Sequence, residues 1–274
     1  MTTLHARLSD ALARARAGEA FGPRPGSPAE AEPTALAAIA LEDEAAIAWL
    51  EGHQHPDGGF GLRSGIVRSD ASTSVAAIAL PSGHARERAL DHLVANRAPK
   101  VPSNPDTPHD PNTRGWGWTP DTFGWVEPTA RALLALRLGR PSATPQIDDG
   151  LAVLADRECV GGGWNYGNRE VLGFDLPPYV QTTAIALLGA QGSLPDQSER
   201  GLTYLGSAWP NEPGGLSLAL TLAVFRLLQV GTADAVEARL GRDFETHAFL
   251  GDVVSTAWAA IATGPALERL RVVA

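Results

Sequence analysis

Thr129-Ala130-Arg131-Ala132 opens a stretch, Ala130 to Leu136, that is apolar at every position but Arg131. The same opening recurs along the chain. Thr34-Ala35-Leu36-Ala37, Thr73-Ser74-Val75-Ala76, Thr183-Ala184-Ile185-Ala186 and Thr256-Ala257-Trp258-Ala259 share it, and Ser217-Leu218-Ala219-Leu220 is a degenerate copy. Recurrence of this kind marks a repeat architecture. A helix apolar on all faces is buried on all faces, so these six stretches form an inner layer.

Each inner helix is followed by a more polar segment: 43–53, 85–96, 147–158, 195–207, 233–240 and 265–272. Glu87, Arg88 and Asp91 in one, and Glu199 and Arg200 in another, give these helices a polar face, as an outer layer requires. Asp43, Asp148 and Asp196 stand where helix caps are wanted. No strand-like alternation is sustained. Six inner and six outer helices predict an all-α fold, an (α/α)6 toroid closed into a ring. Residues 1–32 read as an N-terminal amphipathic helix, with Leu4, Leu8, Leu12 and Ala15 on one stripe, followed by a Gly- and Pro-rich linker. The toroid then spans 33–274, with a long insertion at 97–126.

Composition narrows the setting. Of 274 residues, 44% are hydrophobic, enough for a sizeable core. The net charge of −9 gives no support to a nucleic-acid partner. Cys159 is the single cysteine, so no internal disulfide forms, and a cytoplasmic location fits. No stretch of 18 apolar residues spans a membrane, and no apolar signal core stands at the N-terminus.

A second pattern ends the outer helices. Trp49-Leu50 is followed by Gln54, Gly58 and Phe60, and Leu154 by Glu158, Gly162 and Trp164. Tyr204-Leu205 begins a third copy that decays through Trp209 to Gly214-Gly215-Leu216. The second repeat keeps Leu93 and, after the insertion, Gly117-Trp118. Over roughly residues 33–263 the pattern resembles the Gln-Trp repeat of squalene-hopene cyclases and the Gly-Gly-Phe repeat of protein prenyltransferase β subunits. That resemblance implies the α-α toroid of the terpenoid cyclase and prenyltransferase superfamily. The motif's own role is structural: Gly permits a sharp turn, the aromatic ring packs between hairpins, and Gln bonds exposed helix ends.

The catalytic signatures of those families are absent. There is no D-x-D-D acid motif; Asp148-Asp149 begins an outer helix. Asp156 and Cys159 are three apart where the prenyltransferase zinc site has two, and a single Cys also fails the Cys-Cys-His zinc pattern of lanthipeptide-cyclase toroids. No cofactor and no metal are therefore expected, although Asp106, His109 and Asp110 in the insertion are of ligand type. The insertion itself reads as a lid over the ring's mouth.

What chemistry remains gathers at one rim. Glu32-Pro33-Thr34 and Glu127-Pro128-Thr129 repeat the same tripeptide, with Pro at the first helical position and Glu at the cap. All inner-helix N-termini point one way, so Glu32 and Glu127 share a rim with Asp70, Asp121, Asp175, Gln181 and Asp252. Burial there favours a protonated, proton-donating Glu127, whereas Arg131, four residues on, favours its ionised form. The catalytic candidates are Glu127, Asp175 and Asp252. The ligand-binding candidates are Glu32, Trp125, Arg131, Tyr179, Gln181 and Trp118, with Trp125 and Tyr179 expected on the cavity wall. The expected partner is an apolar, isoprenoid-like small molecule in a central cavity, handled by acid-initiated cyclisation or isomerisation if the ring is an enzyme. A non-catalytic scaffold with a Glu-rich rim is the alternative, and a sugar-active enzyme pairing Glu127 with Asp175 or Asp252 is a third reading. Peripheral membrane contact and a protein partner stay open.

Overall fold

The computed structural model describes residues 2–272. Its helices are α1 (Leu4–Arg14), α2 (Ala31–Leu41), α3 (Glu44–His53), α4 (Ser72–Ala79), α5 (His84–Ala95), α6 (Val126–Gly139), α7 (Thr144–Asp156), α8 (Val180–Ala190), α9 (Pro195–Ala208), α10 (Gly215–Leu227), α11 (Ala233–His247) and α12 (Val253–Thr263). A two-residue hairpin, β1 (Glu170–Val171) with β2 (Phe174–Asp175), lies between α7 and α8. The even-numbered helices are the inner layer. Each packs on its neighbours, α2 on α4 and so on to α12, and α12 packs back on α2. The ring is closed.

Small residues let the inner helices approach. Gly189 of α8 lies against the α6 backbone so tightly that a Cβ on it would fall 2.5 Å from the Ala130 carbonyl oxygen. The outer helices α3, α5, α7, α9 and α11 back α2, α4, α6, α8 and α10. The sixth outer position, behind α12, belongs to α1. Leu8 and Leu12 of α1 are fully buried, and the His5 ring sits 3.1 Å from the Ala260 carbonyl.

The segment 265–272 is therefore not the outer helix expected of it. With the space behind α12 filled by α1, the chain turns at Gly264 into a 3-10 helix, Pro265–Leu270, that crosses the C-terminal end of the ring. Gln191 at the end of α8 donates to the Leu270 carbonyl (2.9 Å), Arg269 reaches the Ala79 carbonyl at the end of α4, and Arg271 reaches that of Leu227 at the end of α10. This end is plugged. The N-terminal end of the inner helices is the remaining way in.

One device repeats around the ring. In α2, α4, α6 and α8 the threonine accepts from the backbone N–H of a preceding aromatic residue and donates back to its carbonyl. Thr34 does this to Phe21, Thr73 to Phe60, Thr129 to Trp116 and Thr183 to Trp164, with N–H to Oγ1 distances of 2.9–3.1 Å. All four rings are buried, each contributing about 2–3 kcal/mol by the area it removes from water. In the second repeat the motif aromatic is thus Trp116, not Trp118. Two residues after each aromatic, a loop carbonyl accepts from the start of the preceding inner helix: Val253 N–H to Pro23, Ala31 to Leu62, Ala71 to Trp118 and Val126 to Tyr166. The first of these bonds joins the chain's two ends.

The rest of the motif acts as expected. Gly58 (φ +86°) turns so close to α5 that a Cβ would meet the Arg88 carbonyl oxygen at 2.4 Å. Gln54 bonds the carbonyls of Gly58 and Ala85, tying α3 to α5, and Glu158 does the equivalent work through a two-point contact with Arg200 of α9. Asp43 caps α3. Asp148 and Asp196 instead lie inside α7 and α9, whose first residues are Thr144 and Pro195.

Candidate functional site

The threonine register places each inner-helix side chain. Two residues after it stand Leu36, Val75, Arg131, Ile185 and Trp258, and five after it Ile39, Ile78, Leu134 and Leu188; all of them line the ring centre, with Leu270 of the plug below. That centre is nearly full, with a cavity of about 20 Å³, room for about one water molecule. Among the described residues, Arg131 is the sole charged one in the lining.

Two residues before each threonine lies the mouth. Glu32, Glu127 and Gln181 take that position on α2, α6 and α8. The inner helices start earlier than their threonines suggest, so Glu32 and Glu127 lie in the first turn, one turn before the lining residues, rather than at the caps; the caps are Glu30 and Trp125. Arg131 reaches up between the two carboxylates. Its Nη1 is 2.8 Å from Glu32 Oε1 and its Nη2 is 2.6 Å from Glu127 Oε1. Its Cζ is 6.0 Å from the centroid of the Trp118 ring, which covers the cluster while remaining 41% exposed. Arg131 Nε is buried with no partner among the described residues.

Burial pushes the Glu127 carboxyl above the ordinary carboxylate range; Arg131 pulls it down, Glu32 pushes it further up, and the neighbouring Gln181 amide lowers it, leaving a net rise. For Arg131 burial works against the charge, but Glu32 and Glu127 outweigh it and hold the guanidinium protonated. Two carboxyls thus share one cation in a dry site, and Glu127, 4% exposed, is the one whose charge is least supported. Such a group is suited to hold and release a proton.

The structure therefore brings Glu32, Glu127, Arg131, Gln181 and Trp118 together. It sets the other candidates apart. Asp175 is exposed on β2. The Asp252 carboxylate caps α12, accepting from the Ser255 N–H. Neither acts on Glu127. Trp125 and Tyr179 do not line the ring centre. As cap residues they have extended backbones, and their rings meet other partners: Trp125 packs edge-on to Phe123 and beside Gly167, and Tyr179 lies 5.1 Å from Tyr166. The aromatic ring in the centre is Trp258, which its place two residues after Thr256 marks.

The insertion covers less of the mouth than a lid would. Its returning end reaches the cluster at Trp118. Farther out it is tied to the end of α7, where Asp156 accepts from the Asp110 N–H, and to the hairpin, where Leu172 N–H donates to the Asp106 carbonyl. Both ring nitrogens of His109 face backbone carbonyls, of Thr107 and Val101, at 3.0 and 2.9 Å. Among the described residues no group of three or more His, Cys, Asp or Glu side chains is placed to hold a metal, and no helix is long and apolar enough to cross a membrane.

No protein-family profile and no curated protein matches the chain. Solved structures do. The apo form of the type II terpene cyclase MstE from Scytonema superposes over 98% of this chain and 99% of its own, with a TM-score of 0.62 at 14% identity. A variant of MstE in complex with its product, merosterolic acid A, covers 97% of each chain with a TM-score of 0.59 at 16% identity. The chain has the all-helical, terpenoid-cyclase-like fold.

Proposed function

We propose that this ring binds an apolar, isoprenoid-like ligand through its mouth and that Glu127 donates the proton for an acid-initiated cyclisation or isomerisation. The observation that carries this reading is the Glu32–Arg131–Glu127 cluster, buried over an otherwise apolar lining at the one unplugged end of the ring. An inert core rarely keeps a donor such as Arg131 Nε orphaned; a ligand or water acceptor at the mouth relieves that cost. The Glu127 O–H adds its proton to one carbon of an alkene, the π electrons form the new C–H bond, and the cation appears on the adjacent carbon. Arg131 then stabilises the carboxylate left behind, and the faces of Trp118 and Trp258 suit the cation. A later C–H loss to a base returns the proton. The type II terpene cyclase activity of MstE, on the same fold, supports the assignment.

Ligand sites usually measure about 300–1,000 Å³, so on this reading the centre opens to admit its ligand. Binding pushes the Leu, Ile, Val and Trp wall outward. This fullness is also what favours the second reading, a non-catalytic scaffold whose Glu-bearing rim contacts a partner protein. The sugar-active reading lacks its second carboxylate, because Asp175 and Asp252 do not face Glu127. Native mass spectrometry with geranylgeraniol separates the two remaining readings. A one-to-one adduct, kept in Glu127→Gln, supports the ligand-binding ring. Absence of any adduct and of co-purified lipid sinks it in favour of the scaffold.

A further inference from the structure

A second cleft, of about 250 Å³, lies between the start of α4, the end of α5 and the returning end of the insertion. It shares no lining residue with the ring centre and includes none of Glu32, Glu127, Arg131 or Gln181. Its floor holds three buried polar side chains, Ser69 and Ser74 (each 2% exposed) and His92 (7% exposed).

His92 is oriented from behind. Its Nδ1 is 3.2 Å from the Asp57 carbonyl oxygen and 3.5 Å from Asp57 Oδ2, with Asn96 Nδ2 at 3.3 Å. In the neutral form of the ring, two acceptors at Nδ1 place the hydrogen there, which leaves Nε2 as an acceptor. Asp57 is itself fixed, accepting from the Gly59 N–H and the Ser69 hydroxyl. Nε2 makes no hydrogen bond among the described residues, and His92 lines the cleft. The Ser74 hydroxyl is in the same condition.

The rest of the wall is rich in acceptors. Asp70 uses one carboxylate oxygen on the Ser72 N–H, and among the described residues the other has no hydrogen-bond partner and no cation pairs with it. Asn96 spends its amide nitrogen on the His92 carbonyl, leaving its oxygen free. The two remaining charges are already matched, Arg97 by Asp149 and Asp121 by Arg68. Free acceptors at Asp70, Asn96 and His92, one free hydroxyl at Ser74 and one unmatched negative charge describe a host for a small cation with several N–H or O–H donors.

We propose that this cleft is a second ligand site, which takes a small hydroxylated organic ammonium with its cation on Asp70 and its donors on His92 Nε2 and Asn96. The test is a titration of the whole protein with ethanolamine at fixed pH and ionic strength, followed by ¹⁵N NMR of the histidine rings. The expected result is a saturable shift of His92 Nε2 while His5, His53 and His247 stay in place. Asp70→Asn keeps the helix-start hydrogen bond, since Asn caps as well as Asp, and is expected to weaken the titration about tenfold, equivalent to about 1.4 kcal/mol. His92→Gln, with its far-ultraviolet circular dichroism unchanged, is expected to abolish ethanolamine-dependent protection against thermal unfolding. Absence of a saturable His92 shift overturns the site. An equal shift with glycerol or inorganic phosphate overturns the assignment to an ammonium.

Discussion

Arg131 and Trp258 occupy the same place in the repeat. Each follows its helix's threonine by two residues, and each reaches into the ring centre. Where α2, α4 and α8 offer Leu36, Val75 and Ile185, α6 offers a guanidinium, and that one exchange turns an apolar plug into a charged mouth. Removing the cation strands two carboxylates at a largely buried site. Arg131→Leu is therefore expected to cost about 3–5 kcal/mol in denaturant unfolding. Adding Glu32→Gln and Glu127→Gln to it is expected to restore most of that loss. If the single variant unfolds like the parent, the cluster is not the dry network described.

The raised pKa of Glu127 fixes the sign of a pH effect. The folded state holds this proton more tightly than the unfolded chain, so the Glu127 contribution to stability is complete below the unfolded carboxyl's pKa. It is lost as pH rises through the folded value. The difference in Tm between parent and Glu127→Gln is thus expected to move in favour of the variant from mildly acid to neutral pH. A shift the other way means that Arg131 dominates and that Glu127 is an ordinary ion-pair partner rather than a proton donor.

Ring closure rests on the N-terminal segment. Phe21 is fully buried, and its backbone N–H donates to the Thr34 hydroxyl, which donates back to the Phe21 carbonyl. Phe21→Ala is expected to cost about 3–5 kcal/mol. Thr34→Val keeps the shape but orphans the buried Phe21 N–H, a loss of about 1–3 kcal/mol. Removing residues 2–20 exposes the α12 face that Leu8 and Leu12 cover and is expected to bring on dye binding to exposed apolar surface. A truncated protein that keeps its cooperative unfolding and binds no dye refutes α1 as a structural member of the ring.

Much of this was legible in the sequence. Ala-rich, all-round apolar helices with threonine starts have no other stable arrangement than an inner layer, and the shared direction of their N-termini puts Glu32, Glu127 and Gln181 on one rim, with Arg131 four residues after Glu127; the same argument also draws in Asp175 and Asp252, which lie apart from Glu127. What was missed has a common cause. Reading the unit as inner helix then outer helix leaves α1 over and demands an outer helix at 265–272. Reading it as outer helix, aromatic, inner helix does not, and the spacing of 13 residues from Phe21 to Thr34, Phe60 to Thr73 and Trp116 to Thr129 carries that reading. The same spacing selects Trp116 over Trp118. Trp125 and Tyr179 were placed on the wall because they precede inner helices. A cap residue has an extended backbone, which turns its side chain away from the face that the helix presents one turn later.

Close packing on the α6 side leaves no slack there. A Cβ on Gly189 meets the Ala130 backbone, so neither partner can rotate away. Gly189→Ala is expected to lower stability by about 1–3 kcal/mol, despite alanine's better helix propensity. A stabilised variant in thermal unfolding contradicts the tight α6–α8 approach.

Trp258 is the side chain whose removal makes most room. It is 6% exposed and faces Arg131 across a centre of about 20 Å³. Trp258→Ala is expected to destabilise the ring by about 3–5 kcal/mol, because the lining relaxes only partly into the space left. Its effect on binding has the opposite sign if the ring must expand to take an isoprenoid chain. The parent spends binding energy on displacing the indole, and the variant does not. Geranylgeraniol is therefore expected to raise the Tm of Trp258→Ala more than that of the parent. If instead the alcohol stabilises neither protein, the centre is a packed core, and the mouth cluster has no apolar ligand to serve.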